Sequence, residues 1–116
     1  MRARLALAAL LCASLPTLAE GPAGQEKVIQ VTAKKFEFSP SVIELKVGVP
    51  VVLELRSLDR EHGFSVPGLH IDETIPKGGV TRVRVLPREA GSFDLHCSVF
   101  CGSGHEEMTG RIVVAP

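Results

Sequence analysis

Residues 97–108 read CSVFCGSGHEEM and bring two thiols (Cys97, Cys101), an imidazole (His105) and a thioether (Met108) into one short segment. Soft sulfur donors select copper(I), zinc or iron–sulfur clusters, and imidazole suits copper and zinc. A disulfide between Cys97 and Cys101 needs only the thiols and gives no reason for His105 and Met108. Tetrahedral zinc is poorly served by a methionine. With His62 added from elsewhere in the chain, a mononuclear blue-copper site takes His62, Cys101, His105 and Met108 and leaves Cys97 over. Two thiolates bridging two copper ions, each ion with one terminal histidine, use every donor. Spacing alone leaves His62 an open candidate. His70 and His96 read as surface or supporting residues, and Glu106 and Glu107 as a solvated pair.

The elements that must hold these donors are strands. VIQVTA sets Ile29, Val31 and Ala33 on one face, and VIELKV sets Ile43, Leu45 and Val47 against Glu44 and Lys46. VVLELR does the same with Val51, Leu53 and Leu55, TRVRVL with Val83 and Val85, and RIVVAP with Ile112 and Val114. Period-two alternation in short β-branched runs marks half-buried strands. Turn signals lie between them at Ser39-Pro40, Val47-Gly48, Pro76 to Gly79 and Ala90-Gly91. No stretch after the N-terminal segment carries a helical period beyond one turn. The pattern predicts an all-β fold, a β-sandwich or Greek-key barrel, in one domain, 28–116. The 97–108 segment then joins FDLH to the final strand, and His62 opens a second loop after VVLELRS. A sandwich gathers its loops at its ends, which would let His62 face the 97–108 loop.

The first residues belong to another task. MRARLALAALLCASLPTLAEG begins with Arg2 and Arg4, runs apolar from Leu5 to Leu15, breaks at Pro16 and reaches small residues near Ala19. That order is expected of a secretory signal peptide over 1–19, followed by a leader over 20–27. The apolar run is short for a membrane span, which takes about 20 residues; an uncleaved anchor is the competing reading. Export removes Cys12 and places Cys97 and Cys101 in an oxidising compartment, where two nearby thiols pair unless a metal protects them. Thirteen basic and thirteen acidic side chains cancel, and losing Arg2 and Arg4 brings the net charge to about −2. With no basic stripe, no Trp and no Tyr, nucleic acid is excluded as a partner.

The loop also resembles a known family. Its C-x3-C-x3-H-x2-M spacing is similar to the binuclear copper (CuA) loop of cytochrome c oxidase subunit II and nitrous oxide reductase. The resemblance continues through HGFSVPGLHIDETIPKGG, similar to that family's first-histidine segment, and through FEFSPSVIELKVG, a general cupredoxin opening. It implies a cupredoxin-like form of that Greek-key sandwich and a two-copper centre held by His62, Cys97, Cys101, His105 and Met108. The family also uses a backbone carbonyl between the cysteines, which falls here on Val99. Val99 stands where oxidase members often carry a glutamate that reaches a magnesium ion, and the aromatic residues that commonly take electrons from cytochrome c are missing.

The expected function is that of an exported, monomeric electron carrier rather than an enzyme. It would exchange single electrons with a redox protein such as a c-type cytochrome or a terminal oxidase, without a stable membrane span. The alternatives are a periplasmic copper storage or delivery protein, and a detached copper subunit of a haem-copper oxidase. An apolar docking patch is expected around the metal end from Phe64, Val66, Pro67, Leu69, Val99 and Phe100.

Overall fold

The computed structural model describes residues 26–116. The expected signal peptide, Cys12 and most of the leader lie outside the described residues. Nine strands follow in order: β1 (Lys27–Lys34), β2 (Glu37–Ser39), β3 (Val42–Lys46), β4 (Val51–Ser57), β5 (His62–Val66), β6 (Ile71–Ile75), β7 (Val80–Val85), β8 (Gly91–His96) and β9 (Thr109–Ala115). They form two sheets, ordered β2-β1-β4-β7 and β3-β9-β8-β5-β6. Single 3-10 turns at Pro67–Leu69 and His105–Glu107 are the helical elements among the described residues. No helix among these residues is long and apolar enough to cross a membrane.

The two sheets pack face to face because alternate residues of their strands are apolar. Val31 and Ala33 of β1, Leu53 and Leu55 of β4, Ile43 and Leu45 of β3, and Ile112 and Val114 of β9 are all buried. Their neighbours Glu44, Lys46, Arg56, Arg82 and Arg84 face solvent. This is the alternation read from the sequence, and it gives each of these strands one wet and one dry face. Burying each such aliphatic side chain stabilises the fold by roughly 1.5–3 kcal/mol before entropy is counted. Phe38 of β2 and Phe64 of β5 meet edge to face across the sheets, with ring centroids 5.8 Å apart. That contact ties the start of β5, where His62 sits, to the opposite sheet.

Strand β5 corrects two expectations. His62 does not open a loop; it begins β5, whose residues His62, Gly63, Phe64, Ser65 and Val66 are all buried. β5 lies between β8 and β6 and is covered on both faces, so it shows no alternation to read. For the same reason Phe64 and Val66 belong to the core and not to a docking patch. Pro67 and Leu69 follow the far end of β5, away from His62.

Candidate metal centre

The register between strands β5 and β8 brings the two donor segments together. Ser65 pairs with His96, antiparallel. Carrying that register on places Gly63 opposite Ser98 and sets His62 beside the loop that follows β8. The approach is close: a Cβ at Gly63 would lie 2.1 Å from Ser98 Oγ and 2.6 Å from the Val99 nitrogen. Only glycine fits there. Its N–H donates to Cys97 Sγ at 3.3 Å.

The loop 97–108 is the connection of the β8–β9 hairpin, closed at its mouth by the His96–Thr109 pair. The Cys97 N–H donates to the Met108 carbonyl at 3.1 Å. Inside the loop, the N–H groups of His105, Glu107 and Met108 donate to the carbonyls of Gly102, Gly104 and His105 at 3.1, 3.1 and 3.2 Å. A loop that satisfies this much of its own backbone holds a defined shape and presents its side chains in fixed directions.

Those side chains converge on two buried free thiols. Cys97 Sγ and Cys101 Sγ are 3.6 Å apart, well beyond the roughly 2.05 Å of a disulfide bond. Cys101 Sγ lies 3.6 Å from His105 Nδ1 and 3.7 Å from Met108 Sδ. Cys97 Sγ lies 3.1 Å from the Val99 carbonyl oxygen. Ligand atoms of His62, Cys97 and Cys101 all fall within 4.8 Å of one another. The six residues singled out in the sequence therefore meet at one end of the sandwich. His70 and His96 are exposed and stand outside this cluster.

His62 shows how the cluster is prepared for an ion. It is completely buried. Its Nε2–H donates to Asp59 Oδ1 at 2.6 Å, while Nδ1 has no hydrogen-bond partner. Asp59 thus fixes the tautomer and leaves the Nδ1 lone pair free, the arrangement by which carboxylates orient metal-binding histidines. A buried ring nitrogen without a partner is costly unless something else binds it. Burial pushes the Asp59 carboxyl up, but hydrogen bonds from the Lys35 N–H, the His62 ring and the Arg60 N–H outweigh it and hold the group at about 2. Asp59 sits in the β4–β5 turn, where the Ser57 hydroxyl accepts its N–H at 3.3 Å. This carboxylate was missed in the sequence. The available signal was an acid three residues before a histidine, in a turn opened by serine.

The thiols carry the complementary feature. Burial, then the hydrogen bond and charge of Cys97, raise the Cys101 thiol to about 11. A site that keeps a thiol protonated in this way releases a proton when a cation takes its place. Two sulfurs near each other, a thioether and two imidazoles form a soft donor set, and a metal–thiolate bond of about 2.3 Å spans from either sulfur to a shared ion. The residues fit a copper centre.

A model of the cupredoxin-like domain matches residues 3–114. The chain belongs to the cupredoxin-like domain family. Cytochrome c oxidase subunit 2 of Thermus thermophilus is 36% identical over 86 residues, covering 74% of this chain and 64% of that subunit. Nitrous-oxide reductase of Cupriavidus necator is 28% identical over 95 residues, which are 78% of this chain but 15% of the reductase. A chain of a haem-copper terminal oxidase dimer superposes with a TM-score of 0.70 at 26% identity, covering 81% of this chain and 68% of the other. This cupredoxin-like chain thus spans less than two thirds of the length of the curated relatives it matches.

Proposed function

We propose that this cupredoxin-like domain is an exported electron-transfer protein with a binuclear copper centre. Cys97, Cys101, His62 and His105 would hold the two ions, with Met108 and the Val99 carbonyl as weak donors. The observation that carries this reading is the second thiol. Cys97 is buried 3.6 Å from Cys101 and takes the Gly63 N–H, a place that a single blue-copper ion leaves without a use.

Bound copper would supply a one-electron couple shared by the two ions. The chain supplies the rest. Asp59 holds the His62 ring and leaves its Nδ1 lone pair free, and the Gly63 N–H would disperse the negative charge of a Cys97 thiolate. Cys97, Cys101 and Met108 are all buried, which keeps water from the sulfurs. Ligands fixed by strand ends and by a self-bonded loop move little between oxidation states, which keeps reorganisation small. His105 is half-buried and marks the side from which a partner approaches. The proposed role is that of an electron carrier. The charged, apolar, small-residue order of residues 1–19 supports export to the periplasm.

Copper reconstitution tests the reading. Two coppers per chain with EPR hyperfine coupling shared between them are expected, together with a stable, reversible one-electron couple. One copper with a type 1 spectrum would overturn the binuclear assignment. Rapid copper exchange with a chelator, without a reversible couple, would make the protein a copper store or donor instead.

A further inference from the structure

Phe36 and Lys35, in the turn between β1 and β2, offer no donor to a metal, yet both reach the candidate centre. The ring of Phe36 lies flat against two glycines of the ligand loop. A Cβ at Gly104 would meet it at 2.4 Å and one at Gly102 at 3.0 Å. These glycines directly follow Cys101 and directly precede His105. Their carbonyls accept the loop's own hydrogen bonds from His105 and Glu107, each at 3.1 Å. On the other side, the Lys35 N–H donates to Asp59 Oδ2 at 2.7 Å, and Asp59 Oδ1 holds the His62 ring.

We propose that the β1–β2 turn is a bracket that sets the ligand loop against the His62 segment, with Phe36 as the positioning residue on the loop side. The proposal rests on the copper reading above for its consequence, but not for its geometry. β5 and the loop already touch through Gly63, Ser98 and Cys97. That contact fixes the Cys97 end of the loop. At the Cys101–His105 end, Gly102 and Gly104 pack on the Phe36 ring. Gly104 is needed because a Cβ there would push the ring away, and Gly102 because its φ is +135° and a Cβ would press on the ring at 3.0 Å.

Amide hydrogen exchange of the metal-free protein and copper release to a chelator together test the bracket. In Phe36→Ala, the N–H groups of His105, Glu107 and Met108 should exchange on the order of tenfold faster, while the β3–β9 ladder is unchanged, as expected of a local opening. The same variant should take up its copper in the wild-type ratio but release it roughly 10–100-fold faster, the usual cost of losing a partner that orients ligands. Gly104→Ala should have a similar effect by crowding the ring. The double variant should be no worse than Phe36→Ala alone, because the clash has gone. Phe93→Ala, at a half-buried phenylalanine outside the loop, serves as the control and should leave loop exchange as it was. Unchanged loop exchange in Phe36→Ala, or effects of the two substitutions that simply add, would overturn the bracket. If wild-type protein takes up no copper, the metal reading falls, and the exchange measurements still decide the bracket.

Discussion

The candidate centre has two halves built on different principles. On one side, His62 and the Cys97 sulfur are held by the sheet. His62 is a strand residue with 0% exposure, its ring is pinned by Asp59, and the backbone of β5 donates to Cys97. On the other side, Cys101, His105 and Met108 hang from a hairpin loop, and His105 is half-buried beside the exposed ring of Phe100. The first half is rigid because strand pairing and a charged hydrogen bond leave it no freedom. The second is shaped by loop carbonyls and by a ring from another turn, and it reaches the surface through His105. The contrast suits a carrier, which needs still ligands on the inside and a short path to a partner on the outside.

Sulfur substitutions should break the comparison most severely. Cys101 Sγ is the point on which His105 and Met108 converge, at 3.6 and 3.7 Å. Cys101→Ser should therefore lose the shared signal and most of the bound copper. Cys97→Ser should also lose the shared signal, but can keep one ion on Cys101, His105 and Met108. Metal analysis with EPR reads both. Two coppers retained in either variant would remove the bridging role.

The two histidines give the next contrast, this time in stability. His62→Ala empties a fully buried position and leaves Asp59 Oδ1 without its ring donor. A loss of about 2–4 kcal/mol in the metal-free protein is expected from the cavity and the lost ring hydrogen bond. His105→Ala, at a half-buried loop position, should cost less than about 0.5 kcal/mol. Urea midpoints of the two variants separate these outcomes, and equal losses would mean that the halves are not held differently.

Asp59 sharpens the same point through acid. Its carboxyl lies at about 2 in the folded protein against an ordinary 3.8. A carboxyl held low stabilises the fold above its unfolded value, and that contribution fades as pH falls from about 4 towards 2. Asp59→Asn should remove this part of the acid dependence, so that wild type and variant converge in stability near pH 2 and diverge near pH 5. Parallel curves over that range would show that the carboxylate does not tie the turn to His62.

How far the molecule could be read in advance follows from which faces are wet. β1, β3, β4, β7 and β9 were legible because each shows one face to water, as in Ile43-Glu44-Leu45-Lys46. β5 was not, since HGFSV is buried throughout and alternation has nothing to alternate with. β6 keeps only its end residues Ile71 and Ile75 buried, and β2 is a three-residue strand. The four side-chain donors of the loop were legible because they are contiguous. His62 joins them only through the pairing of β5 with β8, and its place needed either family likeness or the fold. Asp59 and Phe36 act across turns distant in sequence, where short-range spacing carries no information.

The smallest expected effect concerns the outward half and its partner. Phe100 is 70% exposed, and its ring centroid lies 5.7 Å from that of His105. Leu58, adjacent to Asp59, is 63% exposed. These two side chains replace the larger patch expected from the sequence, since Phe64 and Val66 are interior. An apolar contact this limited gives a weak, short-lived encounter, as interfaces of redox partners usually are. The chain's thirteen basic and thirteen acidic side chains cancel, so little long-range field steers association. Phe100→Ala should leave the copper spectrum, the metal content and the stability as they are. It should slow electron transfer to a small c-type cytochrome by several-fold, on the order of the 1 kcal/mol that an exposed aromatic contributes at an interface. The rate should change only mildly between low and physiological salt in both proteins. Stopped-flow kinetics over a range of ionic strengths measures both quantities. A rate that collapses with salt would mean that charges direct the encounter, and an unchanged rate in Phe100→Ala would mean that the partner meets the domain elsewhere.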